Sequence, residues 1–260
     1  MGLRAVVLAG RRNAGRLATV SAEAWEAMIP LADRPMLQWV VDALSGARVV
    51  DGIIVVGPAD SAGKVTGKGL TLVEASDSMM DNIALGVDEA QRQAGDGPIL
   101  LTAGDTPLVT AAGYDAFVDT CLAAGGEVFY PVVFRQHIEA AYPGTKRTYL
   151  KFREGKVTGG NIFVIHPHVV GPCRDLGARF AEARKSPARQ AAIVGWGTLI
   201  GLLLGSLTLA ELERRVCKLL GVTGKVIVTA DADIGIDVDK PADYELADAV
   251  LKGRMQSRNR

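Results

Sequence analysis

Four short apolar runs, Leu3–Ala9, Gly52–Gly57, Leu70–Glu74 and Pro98–Ala103, have no regularly spaced polar face. A strand with one wet face alternates apolar and polar residues, whereas a near-continuous Val/Ile/Leu run must be covered on both sides. Between these runs, residues 35–45 (PMLQWVVDALS) and 78–93 (SMMDNIALGVDEAQRQ) carry apolar residues at helical spacing, and Pro35 suits a first helical turn. Strands alternating with helices in this way specify an α/β chain whose sheet is mostly parallel and flanked by helices.

The second half is less regular. Glu127–Phe134, Asn161–His166 and Lys225–Thr229 read as further strands, and Arg184–Arg189 is a basic stretch. Residues 191–210 contain no charge, which meets the length of a membrane span. Thr208 followed by Glu211 is a capping-box pattern, so a new amphipathic helix begins inside that run and ends near Gly221. Four glycines within the run also favour a buried segment over a membrane span. A last helix is expected after Pro241, ending near Lys252. With no internal repeat and no linker, the expectation is one domain over residues 1–252 and a polar, frayed tail at 253–260.

Composition narrows the function. The 29 basic and 29 acidic residues cancel, which argues against a general nucleic-acid binder, since such proteins carry a basic excess. Three dispersed cysteines (Cys121, Cys173, Cys217) form neither a disulfide framework nor a zinc motif. With no leader-like segment at the start of this sequence, a cytoplasmic protein without membrane attachment is expected.

Chemistry concentrates at strand ends. Val6-Val-Leu-Ala-Gly10 runs into Arg11-Arg-Asn-Ala-Gly15-Arg16, a loop that is either a plain turn or a phosphate approach built of backbone N–H groups. Leu100-Leu-Thr-Ala-Gly104-Asp105 puts a carboxylate just past the carboxyl end of a parallel strand, where open α/β sheets bind ligands. An Asp there can equally cap the next helix. Ile234-Gly-Ile-Asp237-Val-Asp239-Lys-Pro-Ala-Asp243 follows a later strand and reads as a turn with a helix cap, or as a second acidic site.

Taken in order, LAG with a glycine loop, GDTP, Gly159-Gly160-Asn161 and DVDKPAD, together with Ile29-Pro-Leu-Ala-Asp-Arg-Pro-Met-Leu, resemble the MobA-like NTP transferases. That nucleotidyltransferase superfamily includes molybdenum-cofactor guanylyltransferases and sugar-1-phosphate nucleotidyltransferases. The resemblance covers about residues 3–250. It implies a Rossmann-like GT-A nucleotidyltransferase fold and transfer of NMP from an NTP to a phosphorylated small-molecule acceptor, with release of pyrophosphate. It implies Mg²⁺ held by Asp105 and Asp237, with Arg16 sharing the catalytic work. Leu8, Ala9, Gly10, Gly15 and Gly104 would line the nucleotide, Ser78 and Asn82 would meet the base, and Asn161 would face the acceptor. The acceptor's identity and the oligomeric state, a homo-oligomer included, stay open.

Two departures matter. Arg11 stands where the superfamily usually has a second glycine, and Glu26 where it usually has a lysine that neutralises phosphate. Either Arg11, Arg12 or Arg16 substitutes for that charge, or the chain is a non-catalytic nucleotide-binding protein. A glycosyltransferase with a DxD metal motif is the other alternative, since Asp231-Ala-Asp233 and Asp237-Val-Asp239 both fit it. The basic cluster Lys146-Arg147-Thr148-Tyr149 is either solvated surface or an acceptor-phosphate site.

Overall fold

Two hydrophobic cores lie on opposite faces of one sheet, and the strand residues divide between them by parity. In the computed structural model, which describes residues 2–183, 193 and 195–258, β1 (Leu3–Leu8) lies between β4 (Val50–Gly57) and β6 (Ile99–Ala103), parallel to both. Ala5, Val7, Ile53 and Val55 enter the core on one face, and Val6, Ile54, Val56 and Leu101 the core on the other. This two-sided burial is the reason the runs carry no polar alternation. Each fully buried Val or Ile contributes about 1.5–3 kcal/mol of transfer free energy.

α1 (Met36–Gly46) and α3 (Ala111–Ala124) cover the first face, and α2 (Met79–Ala94), with α5 (Val170–Ala183) against it, covers the second. β2 (Pro30–Leu31) and β3 (Arg34–Pro35) form a small hairpin ahead of α1. α2 is capped by the Ser78 hydroxyl, which accepts from the Asp81 N–H.

The sheet runs β5 (Leu70–Glu74), β4, β1, β6, β10 (Ile162–Ile165), β7 (Val128–Phe134), β9 (Gly155–Gly159), β8 (Leu150–Phe152), with β11 (Gly224–Thr229) parallel along β7. β10 is antiparallel to both β6 and β7, and β9 is antiparallel to β7. The result is the mixed, mostly parallel sheet expected from the sequence. β9 and β10 are one path bent at Gly159-Gly160-Asn161. The first part lies along the far end of β7, and the second wedges between β6 and β7. At the bend the Gly160 N–H donates to the Pro131 carbonyl, and the Asn161 carbonyl accepts from the Ala103 N–H at 3.1 Å. A Cβ on Gly160 would lie 2.6 Å from the Ile234 carbonyl oxygen, so no side chain fits there.

Two elements depart from expectation. α6 (Trp196–Leu204) does not bury the uncharged run as a unit: Thr198 and Gly201 are buried, but Trp196 is 56% and Leu203 76% exposed. Only one side of this short helix has sheet-side elements to pack on, so apolarity all round cannot be buried all round. Among the described residues no helix is long and apolar enough to cross a membrane. The basic stretch at 184–189 lies outside the described residues. α7 (Leu209–Leu220) carries the expected capping box of Thr208 and Glu211 and ends on Gly221 in the left-handed conformation. α8 (Pro241–Arg258) continues well past Lys252, so the stretch expected to fray is helical through Arg258.

Candidate active site

The loops leaving β1 and β6 are bonded side by side. The Leu8 carbonyl accepts the Gly104 N–H at 2.9 Å, and the Ala9 N–H donates to Val56. A Cβ on Gly104 would lie 3.2 Å from both Ala27 Cβ and the Leu8 oxygen, and one on Gly10 would lie 2.5 Å from Ala75 Cβ. These glycines let four chain segments meet at the carboxyl edge of the sheet, the usual ligand edge of such folds.

Asp105 follows directly. Its carbonyl accepts the Val238 N–H at 2.9 Å, which brings the strip Asp237-Val238-Asp239 across from the end of β6. The two acids singled out from distant parts of the sequence are therefore on neighbouring backbone. Asp237 is paired with Arg147, whose guanidinium also donates to the Asp237 carbonyl at 3.2 Å and lies 3.6 Å from Asp243. Lys240 sits 3.4 Å from Asp243 and donates to the Lys146 carbonyl. On the other side of Asp105, Arg11 bridges Glu26 at 3.1 Å and Asp239 at 3.0 Å.

Five carboxylates (Glu26, Asp105, Asp237, Asp239, Asp243) thus meet three cations (Arg11, Arg147, Lys240), and Asp105 is the one without an ion pair to a described residue. Its Oδ1 is sealed from solvent and has no hydrogen-bond partner among the described residues. Burial pushes the Asp105 carboxyl up to about 6; Arg11 pulls it back, and Glu26 and Asp239 add to the rise. Glu26 is raised by the same burial, opposed by Arg11 and reinforced by Asp239. A buried carboxylate oxygen without a donor costs about 1–3 kcal/mol and calls for a cation or a proton.

The remaining expected residues are placed as follows. Asn82 is buried and clamps the loop before α2, accepting from the Ser76 N–H at 2.7 Å and donating to the Ser76 carbonyl at 3.0 Å. A Cβ on Gly10 would lie 3.1 Å from Asn82 Nδ2, so Asn82 adjoins the β1 loop, while Ser78 caps α2. Gly15 adjoins Glu26. The Asn161 side chain is half-buried at the bend beside β6, with no hydrogen bond to a described residue. Arg16 stands apart, exposed at the start of a 3₁₀ turn with no ion pair to a described residue.

Of the three basic candidates to answer Glu26, Arg12 stacks on Trp25 at 3.8 Å, Arg16 pairs with no described residue, and Arg11 makes the pair. That assignment had no signal in spacing, because Asp239 is 228 residues from Arg11. Arg147 belongs to a basic cluster visible in the sequence, but its partners were not. The first DxD pair has a structural occupation. Asp231 caps the 3₁₀ turn at 232–235, and Asp233 is held by Tyr142 and by Arg254 at 2.7 Å. Among the described residues no group of three or more His, Cys, Asp or Glu side chains is arranged to hold a metal. Mg²⁺ does not need one, since it ordinarily takes one or two carboxylates plus substrate phosphates. The orphaned Asp105 oxygen and its acid-rich neighbourhood suit such an ion.

Comparison with known proteins agrees with this architecture. The model of the MobA-like NTP transferase domain matches residues 5–194. A hypothetical transferase from Thermus thermophilus shares 32% identity and superposes with a TM-score of 0.81, covering 94% of this chain and 100% of that one. A CMP:2-keto-3-deoxy-manno-octonic acid synthetase solved with CTP superposes at 0.58 with 13% identity, covering 97% and 100% of the two chains, a likeness of fold. In sequence, the bifunctional protein GlmU of Sinorhizobium medicae (strain WSM419) is 35% identical over 131 residues, which are 48% of this chain and only 27% of that protein's length.

Proposed function

The chain belongs to the MobA-like NTP transferase family, and from that premise we propose that it is a Mg²⁺-dependent nucleotidyltransferase. It would transfer NMP from an NTP to a phosphorylated small-molecule acceptor, with release of pyrophosphate. The observation that carries the reading is the Asp105 carboxylate at the carboxyl end of β6, whose Oδ1 is buried with no partner among the described residues, with the Asp237 strip bonded to the Asp105 backbone. The chain would work as one domain, its last helix included, in the cytoplasm.

Phosphoryl transfer is slowed chiefly by charge repulsion and misalignment, so the protein's task is to position and to neutralise. Leu8, Ala9, Gly10, Gly15 and Gly104 would form a narrow backbone-lined seat for the nucleotide, with Ser78 and Asn82 at the base side. Asn161 would orient the acceptor at the bend between β6 and β7. Arg16 would reach the triphosphate from the loop. Asp105 and Asp237 would hold Mg²⁺, and the ion would supply Lewis-acid charge on the phosphate oxygens. Arg147, beside Asp237, would offer its guanidinium to a phosphate.

The non-catalytic alternative was motivated by Glu26. Its charge is met by Arg11, which weakens that motive. The test is a pyrophosphate-release screen of each NTP with Mg²⁺ against phosphorylated sugars, alcohols and cofactor precursors. In the productive pairing, Asp105→Asn and Asp237→Asn should each lower turnover by on the order of a hundredfold or more with an unchanged circular-dichroism spectrum. Full activity in either variant would remove that residue from the mechanism, and silence across the panel would favour the non-catalytic reading.

A further inference from the structure

Arg11 is held by two carboxylates that differ in one respect. Glu26 is 4% exposed and Asp239 is 38% exposed, while the arginine itself is 61% exposed. Glu26 also grips Arg11 through the backbone: its N–H donates to the Arg11 carbonyl at 3.0 Å, next to an antiparallel bridge between Arg12 and Trp25. Breaking the Glu26 pair would strand a buried charge, a strongly unfavourable event. Breaking the Asp239 contact exposes two groups that water can solvate, which costs little. The guanidinium has five donors: Nη1 donates to Asp239, and Nε lies 3.1 Å from Glu26 Oε2 as an ion pair without hydrogen-bond geometry, which leaves further N–H groups at an exposed position on the β1 loop.

We propose that Arg11 is a polyphosphate-binding residue anchored by Glu26 and masked by Asp239, so that an incoming polyphosphate displaces Asp239 while Glu26 stays in place. Arginine binds phosphate bidentately and more strongly than it binds one exposed carboxylate. Glu26, an acid where a triphosphate would otherwise be repelled, becomes the positioning residue for the cation that receives it. Asp239 becomes an internal competitor that keeps the two walls of the crevice tied until substrate arrives. The proposal rests on the reading of this crevice as a nucleotide site.

The test is metal-free calorimetric titration of the full chain with inorganic tripolyphosphate, and in parallel with each NTP. It would compare wild type, Asp239→Asn, Arg11→Gln, the double variant, Arg11→Lys and Glu26→Gln, each checked for an unchanged melting profile. Asp239→Asn should tighten tripolyphosphate binding about two- to fivefold, the fold-change equivalent of one exposed ion pair. Arg11→Gln should weaken it about tenfold or more, Arg11→Lys should retain part of the affinity, and Glu26→Gln should weaken it. In the Arg11→Gln background, Asp239→Asn should have no effect, because nothing remains to unmask. An Asp239→Asn variant without tighter binding, or one that tightens equally without Arg11, overturns the proposal. If wild type binds nucleotide and turns over while this cycle is flat, only the masking idea falls. If wild type binds neither tripolyphosphate nor any NTP, even after Mg²⁺ is added, the nucleotide-site reading falls with it.

Discussion

Asp105 is the residue on which cost and use are most directly opposed. Its carboxyl titrates near 6 in the folded chain against an ordinary 3.8. Between those values the folded state holds a proton that the unfolded state has released, so stability falls as pH rises through that window. Above pH 6 the full cost is present, at most about 3 kcal/mol; below about pH 4 both states are protonated and it vanishes. Asp105→Asn should therefore be more stable than wild type to urea at pH 7.5, by about 1–3 kcal/mol, and no more stable at about pH 2.8, where both states are protonated. A gain that persists unchanged at low pH would show that packing, not charge, sets the difference. Addition of Mg²⁺ at pH 7.5 should narrow the gap if the ion binds where proposed, because it stabilises only the carboxylate form.

At the scale of elements, glycine placement decides how closely layers approach. Gly86 lies in α2 where a Cβ would meet Val6 Cγ1 at 2.3 Å and Val56 Cγ2 at 2.9 Å. Helix propensity alone would make Gly86→Ala favourable by about 1 kcal/mol. Overpacking a tight helix–sheet contact costs about 1–3 kcal/mol, and both clashes are with valines in central strands that cannot swing away. The substitution should lower the urea midpoint, and a raised midpoint would mean that α2 can lift off the sheet freely. The strands, by contrast, were legible from the start. Leu70–Glu74 is a strand with those same ends, and the other expected strands, such as Leu3–Ala9 and Pro98–Ala103, differ by a residue or two. Fully buried strands announce themselves by unbroken apolarity. The uncharged run was misleading for the converse reason: apolar composition says that a segment prefers cover, but not whether a neighbour supplies it, and α6 leaves Trp196 and Leu203 uncovered.

For the molecule as a whole, α8 closes the structure over the site-bearing loops. Asp248 accepts the Ala32 N–H at 2.8 Å, in a turn where Ala32 and Asp33 both take positive φ. Arg254 donates to the Leu108 carbonyl at 2.6 Å and to Asp233, which Tyr142 also holds. A chain ending at Lys252 would lose that arginine and leave Asp233 with less compensation in a largely buried setting. We expect it to be about 1–3 kcal/mol less stable than the full chain, with Arg254→Met reproducing most of the loss in a urea titration. Equal stability of the shortened chain would mean that residues past Lys252 are an appendage.

The sequence by itself determined the alternating α/β plan, the helix cap at Thr208, and the motif order that marks the family. All of these rest on local periodicity or on side chains bonding within a few residues. Only the tertiary structure decided that Glu26 faces Arg11, that Arg11 reaches Asp239, that Arg147 leaves its basic cluster for Asp237, and that Asp105 is the carboxylate left over. Those pairings join residues far apart in the chain, and electrostatic partners have no spacing rule across such separations. Charge can be counted from a sequence, but which charges cancel depends on distance, and distance exists only once the chain has folded.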